Sequence, residues 1–493
     1  MNNEEINRLR YRRQYIISPK GIDCPYLNNT INLVKNYNLF VHIDLKVTDF
    51  NRGGLRIILL GDIFDYATPQ KNNDEILEDL ADNNFDILVE KSAKYAGRYV
   101  IIYLYNENIS LFHDATATRK IYYCSTKEGY WCASQPYLLA KVLDLKKTRD
   151  ESKLNFYVST EFRNLSNSNI GNTTVFDEIL QLLPNHYLNI TGSEIKRYWP
   201  NRKIEILPVE VASKILADMI KGFINAIGHR YNIMMAITAG KDSRTLLAAS
   251  RDISKNIFYY LNKHSKLVEN SIDIIIPQKL LSELGLDFHL INIDIEVDKD
   301  FEKLYYDNNE VALPSFLSTV YNYYLNYGDK VNLPGIFTAS AFEIYGSYDK
   351  KLSPKILAQL NHVEKFPYAI DYYDQWLSDA QEPCIQNNFN FLALFYWEER
   401  LANWGTQIQL FKDIAQEEFV PFNSRQLIQY CFSILPKHNN RPKYTLYKSI
   451  MKNLWPETLN APINPDFKHV IINILDKLRI FELIQKIKFI LTH

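Results

Sequence analysis

The stretch Ile233-Met234-Met235-Ala236-Ile237-Thr238-Ala239-Gly240-Lys241-Asp242-Ser243-Arg244 holds the residues best suited to chemistry. An apolar run ends in small and hydroxyl-bearing residues, and the helical pattern Thr245-Leu246-Leu247-Ala248-Ala249 follows. A strand that turns into a helix here gathers backbone N–H groups and the positive end of the helix dipole at one point, which makes an anion site. Thr238, Ala239 and Gly240 are small enough for the backbone to approach phosphate oxygens; Ser243 can donate its hydroxyl and Asp242 can hold a Mg2+ ion that shields the charge. An Asp/Ser cap on an ordinary helix gives the same local pattern. A Walker A loop is excluded, because Met235 stands where that loop needs its first Gly and Asp242 where it needs Ser or Thr.

The elements that would position this loop follow from hydrophobic period. The first part of the chain reads as short β-branched and aromatic runs near 39–45, 55–60, 99–105, 110–112, 121–125 and 130–133, with helices near 73–81 and 86–94. A hairpin across Thr191-Gly192-Ser193 closes it. This is an α+β pattern with much antiparallel sheet. Beyond Pro200 a long helical pattern over 209–230 leads into a strand at 233–237, and strands at 256–261 and 288–293 then flank a helix at 272–284. That alternation predicts an α/β doubly wound parallel sheet, and the chain downstream of Pro314 reads as helical. The expected domains are 1–200 and 208–465, with a C-terminal helix over 466–493.

A chain of 493 residues is long enough for two cores. Lys and Arg number 56 against 57 Asp and Glu, so no basic surplus argues for nucleic acid. Five cysteines without metal-ligand spacing point to reduced thiols and a cytoplasmic protein. No secretory leader and no transmembrane segment is expected: Asp476, Lys477, Arg479, Glu482, Lys486 and Lys488 interrupt the most apolar stretch, 470–491. Arg400, Trp404 and Arg425 could face an acidic substrate, although on packed helices such residues more often serve the core and its edge.

Thr238-Ala239-Gly240-Lys241-Asp242-Ser243 resembles the Ser-Gly-Gly-x-Asp-Ser pyrophosphate loop of ATP-pyrophosphatase enzymes. Further segments, taken in order, resemble the asparagine synthetase family. Gly97-Arg98-Tyr99, His113-Asp114, Arg119-Lys120-Ile121-Tyr122-Tyr123 and Trp131-Cys132-Ala133-Ser134 resemble its class II glutamine amidotransferase domain; Leu183-Pro184-Asn185-His186 with Arg197-Tyr198-Trp199 resembles the junction. Pro421-Phe422-Asn423 and Tyr447-Lys448-Ser449 resemble its helical end. The resemblance implies ATP on Thr238, Ala239, Gly240, Lys241, Asp242 and Ser243, Mg2+ on Asp242, and Lys448 as the catalytic lysine against pyrophosphate. The segment 338–348 matches a family motif at Glu343 and Tyr348, and Glu343 would serve as a base or metal contact or as a structural carboxylate.

Two departures shape the expected activity. Asn2 follows Met1 where the family has its nucleophilic cysteine, and Cys24 is followed by Pro25-Tyr26, so glutaminase activity is expected to be absent. Ala339 and Phe342 replace a glutamate and an aspartate, which makes asparagine an improbable product. The expectation is an ATP-dependent, AMP-forming ligase that joins a small-molecule or peptide carboxylate to an amine or ammonia, as in sugar-acid amidation or macrolactam closure. A catalytically inactive nucleotide-binding or scaffold homologue is the alternative, and a homodimer stays open.

Overall fold

The computed structural model describes residues 1–336, 345, 352–438 and 443–465. Glu343, Ala339, Phe342, Tyr348 and the helix expected over 466–493 lie outside the described residues.

Helix α1 (Asn3–Leu9) precedes twelve strands: β1 (Tyr15–Ser18), β2 (Asn29–Asn32), β3 (Asn38–Val41), β4 (Val47–Arg52), β5 (Leu55–Phe64), β6 (Ala96–Tyr105), β7 (Asn108–His113), β8 (Tyr122–Thr126), β9 (Gly129–Ala133), β10 (Leu180–Gln181), β11 (His186–Asn189) and β12 (Glu194–Arg197). They form two six-stranded sheets of order β10-β8-β9-β1-β3-β2 and β12-β11-β7-β6-β5-β4, with every pairing antiparallel. The sheets stack face to face. Ile17, Leu39 and Val41 of one meet Ile58, Leu60, Val100 and Ile102 of the other.

Both outer faces are covered by helices. The alternate residues of β5, Leu55, Ile57 and Leu59, pack against α2 (Asn73–Leu80) and α3 (Phe85–Ser92). Ile16, Phe40 and Trp131 of the other sheet pack against α4 (Pro136–Leu143). Burial on both faces is why β5 and β6 read as near-continuous apolar runs rather than clean alternation. It also explains why both extend past the expected runs, back to Ala96 and on to Phe64.

The second half is built on four parallel strands, β13 (Asn232–Ala236), β14 (Ile257–Lys263), β15 (His289–Asn292) and β16 (Lys330–Leu333), in the order β15-β14-β13-β16. Helices α7 (Val209–Gly228), α8 (Lys241–Ala249) and α9 (Ile272–Glu283) contribute to the core on one face, against Ile233, Met235 and Tyr259. Helices α10 (Lys299–Asn308) and α11 (Pro314–Asn326) cover the other, against Met234 and Tyr260. The intervening helices α5 (Glu151–Tyr157) and α6 (Thr160–Asn164) belong to the first half. β16 carried no sequence expectation, yet it completes the sheet. Among the described residues, no helix is long and apolar enough to cross a membrane.

The halves are joined by buried ion pairs. Arg98 Nη1 and Nη2 contact Asp413 Oδ1 and Oδ2 at 2.6 and 3.0 Å, and Glu417 Oε1 accepts from Arg98 at 2.8 Å and from Arg119 at 2.9 Å. Burial alone would raise the Glu417 carboxyl, but Arg119, Arg98 and Arg13 outweigh it and hold the group at about 2. Asn423 Nδ2 donates to Asp114 Oδ1 and to Gly97 O, both at 2.7 Å. Arg98, Asp114, Arg119 and Asn423, all in segments that carried the family resemblance, therefore act as interface residues.

Candidate functional site

The sheet order decides where a ligand can sit. From β13 the chain moves outward through β14 and β15, then returns to β16 on the other side of β13. The strand order thus reverses between β13 and β16, and in an open parallel sheet the carboxyl ends at such a reversal are where a ligand-binding crevice forms. Residues 237–240 leave β13 at that point, and Gly240 is the N-cap of α8.

The turn is held by its own hydroxyls. Thr238 N donates to Ser243 Oγ at 3.2 Å, Gly240 N donates to Thr238 Oγ1 at 3.1 Å, and the two hydroxyls lie 3.1 Å apart. A Cβ on Gly240 would sit 3.0 Å from Thr238 Oγ1, so this glycine permits the tight turn. Gly335, just past β16, lies so close that a Cβ there would be 3.2 Å from Ser243 N. The backbone after β16 thus packs onto the first turn of α8.

Ala239 is gripped from two directions. Its N–H donates to Asp273 Oδ1 at 3.0 Å, from the first turn of α9, and its carbonyl accepts from Asn464 N at 3.0 Å. Asn464 is held by Tyr444, whose hydroxyl accepts from Nδ2 at 3.3 Å. Arg244 donates to the carbonyls of Ala461 and Pro462, and burial lowers its guanidinium to about 10. Residues 461–464 therefore lie as a strap along the loop and the start of α8.

The expected site residues are brought together unevenly. Thr238, Ala239, Gly240, Asp242 and Ser243 share the turn. Lys241 is buried, with its ammonium 5.3 and 5.0 Å from the ring centroids of Tyr444 and Tyr447 and 3.9 Å from Asp242 Oδ2. It thus faces the helix Thr445–Leu454. Lys448 is on that helix, which packs on α7 and α8, but its side chain is exposed and makes no hydrogen bond or ion pair with a described residue. Arg425 lies over the rings of Tyr198 and Trp397 at 4.6 and 5.4 Å and donates to Asn185 and Tyr198, so its role is packing.

Asp273 and Asn464 escaped sequence reasoning. Asp273 follows the N-cap Ser271 by two residues, a pattern that reads as an ordinary acidic first turn. Nothing local marks Asn464. Among the described residues, no group of three His, Cys, Asp or Glu is placed to hold a metal, so Mg2+ would rest on Asp242 together with phosphate oxygens. The turn itself fits a phosphate: its residues are small, Gly240 offers no capping side chain, and it opens a helix. Three of its N–H groups already have internal acceptors: Thr238 N on Ser243 Oγ, Gly240 N on Thr238 Oγ1 and Ala239 N on Asp273 Oδ1.

No family model and no curated protein matches this chain. Among solved structures it is similar to an NH3-dependent NAD synthetase from Campylobacter jejuni in complex with nitrate, at 13% identity over 40% of this chain and 93% of that one, TM-score 0.22. It is also similar to a glutamine phosphoribosylpyrophosphate amidotransferase from B. subtilis complexed with ADP and GMP, at 11% identity over 62% and 89%, TM-score 0.24. An allosteric regulatory enzyme of purine biosynthesis overlaps at 11% identity over 63% and 75%, TM-score 0.26. At TM-scores this low the overlaps carry no weight for fold or function.

Proposed function

We propose that this chain is an ATP-dependent ligase that activates a substrate carboxylate as its adenylate and transfers the acyl group to an amine or ammonia, in the manner of the asparagine synthetase family. The observation that carries the reading is the small-residue turn Thr238–Ser243 opening α8 at the switch point of a parallel sheet. In the reaction a carboxylate oxygen attacks the α-phosphorus, forming one P–O bond as the bond to pyrophosphate breaks. The amine then attacks the acyl carbon, AMP leaves, and the amine gives up its proton.

The backbone and hydroxyls of 238–243 would hold the phosphates. Mg2+ on Asp242 would neutralise charge developing on pyrophosphate, and Lys448 would add a second cation from the neighbouring helix. Glu343, outside the described residues, would serve as a base or metal contact. The domains follow the same division: 1–200 an amidotransferase-like unit, 208–465 the synthetase unit, and 466–493 a terminal helix, in a cytoplasmic protein.

The first unit is proposed to lack glutaminase activity. Cys24, in the β1–β2 connection, is half-buried and its thiol is raised by burial, the opposite of what an attacking thiolate needs.

A second reading has its own observation. Asp273 already occupies the Ala239 N–H, as expected of a relative that no longer binds nucleotide. One assay separates the two: incubate the protein with ATP, Mg2+ and a panel of carboxylates, and follow pyrophosphate and AMP. The ligase reading expects equimolar AMP and pyrophosphate with one acid, abolished by Asp242→Ala. Absence of ATP binding, or nucleotide binding unaffected by Asp242→Ala, refutes it.

A further inference from the structure

Outside the loop, Arg400 combines a buried, unpartnered Nε with a place on a cleft wall. Residues Tyr396–Gly405 form a π-helical segment, a wider winding often kept where a side chain must be aimed. Three charged residues follow one another in it. Glu398 is buried and fully engaged, accepting from Arg197 at 2.6 and 2.9 Å, from Asn185 at 2.9 Å and from Trp376 Nε1 at 2.8 Å. Glu399 is buried on the Gly171 N–H at 3.0 Å, and burial raises its carboxyl to about 8, so it is neutral near pH 7. Arg400 lines a separate cleft of about 500 Å3. Its Nε is buried without a hydrogen-bond partner, and its guanidinium makes no ion pair with a described residue.

The cation is nonetheless fixed in place. Its Cζ lies 5.1 Å from the ring centroid of Trp404, and Trp404 is anchored by an Nε1–H bond to Ser166 Oγ at 3.1 Å. Tyr345, on the same cleft wall, is held by its hydroxyl to Asn361 Oδ1 at 2.9 Å. Arg400 is half-buried and only its Nε is shut away, so Nη1 and Nη2 remain open for the two parallel hydrogen bonds that a carboxylate accepts.

The rest of the lining narrows the ligand. Lys365 is already paired with Glu161 at 2.7 Å, whereas Glu364 is exposed and forms no ion pair with a described residue. Asn164 adds an amide acceptor, and Asn361 Oδ1, already accepting from Tyr345, has a second lone pair. A bare anion would meet Glu364 and Glu161 as repulsive neighbours. A molecule with a carboxylate at one end and hydrogen-bond donors at the other would match both.

We propose that this cleft is a binding subsite for a small carboxylic acid that carries donors, either hydroxyls or an ammonium, with the carboxylate on Arg400 and the donors on Glu364 and the flanking amides. The subsite stands apart from the nucleotide reading, because its test needs no nucleotide and its failure leaves the loop untouched.

The test is calorimetric titration of the full chain with D-glucuronate (hydroxyl donors), glycylglycine (ammonium donor), acetate and D-glucose. At least one of the first two is expected to bind at least tenfold tighter than acetate and glucose, and to lose at least tenfold in Arg400→Gln. Glu364→Lys, an exposed change, is expected to weaken the same ligand threefold or more and to strengthen acetate; it decides the matter if Arg400→Gln does not fold. Acetate binding as tightly as both acids, binding insensitive to both substitutions, or no saturable binding of either acid overturns the proposal.

Discussion

Replacing Glu399 by Gln should remove a pH-dependent loss of stability whose size follows from burial. Glu399 is 4% exposed, and its carboxyl moves from an ordinary 4.5 to about 8, chiefly through desolvation, with neighbouring Glu398 adding to the rise and the Gly171 N–H opposing it. The folded protein therefore binds a proton that the unfolded chain releases between those two values, and stability falls as pH rises across that window. Below pH 4.5 the group is neutral in both states and the loss is nil. Above pH 8 the loss is complete, at about 5 kcal/mol, taking about 1.4 kcal/mol per pH unit; at pH 7 it is about 3 kcal/mol. Glu399→Gln keeps an acceptor for Gly171 and never ionises. Denaturant midpoints for the two proteins should nearly coincide at pH 5 and diverge toward pH 8.5, with the variant the more stable. The comparison cancels other titrating groups, since both proteins share them. Parallel pH profiles would refute the claim that Glu399 is neutral in the native protein.

Other substitutions test the packing that frames the site. Arg98→Met leaves Asp413 buried without its bidentate partner and should cost about 3–5 kcal/mol in denaturant unfolding; a loss under 1 kcal/mol would mean that the buried pair does little to join the halves. Gly222→Ala places a Cβ 2.2 Å from the carbonyl oxygen of Tyr66, across the contact between α7 and the first half. Because the clash is with backbone, the loss should reach or exceed the upper end of the roughly 1–3 kcal/mol usual for overpacking, read from thermal unfolding. Gly335→Val should abolish any thermal shift produced by ATP and Mg2+ while leaving the fold intact, since its side chain would press on Ser243 N and Asp242. An unchanged shift would place the nucleotide elsewhere.

Much of the architecture was legible because it rests on local periodicity. The expected helices at 73–81, 86–94 and 272–284 correspond to Asn73–Leu80, Phe85–Ser92 and Ile272–Glu283, each beginning at a polar cap. Strands with short exposed runs were not legible: β2 shows only polar and half-buried positions, and β4 has one buried residue, so neither has the apolar signal that marks a strand. Both exist because β3 and β5 offer them a pairing edge.

The sequence by itself determined that a strand ends just before Thr238, that small residues follow, and that a helix opens a few residues on, since strand period, missing side-chain bulk and helix period are all encoded within a few neighbouring residues. Tertiary structure alone decided what surrounds that turn. Asp273 reaches Ala239 N, Asn464 reaches Ala239 O and Gly335 comes to rest under Ser243 only because β14, β16 and the strap at 461–464 converge there. These partners are separated from the turn by tens to hundreds of residues, so no local pattern encodes them. Arg400 belongs with them: its chemistry as a free cation depends on where Glu398, Glu399 and Lys365 spend their charge, and that is settled only by contacts across the whole fold.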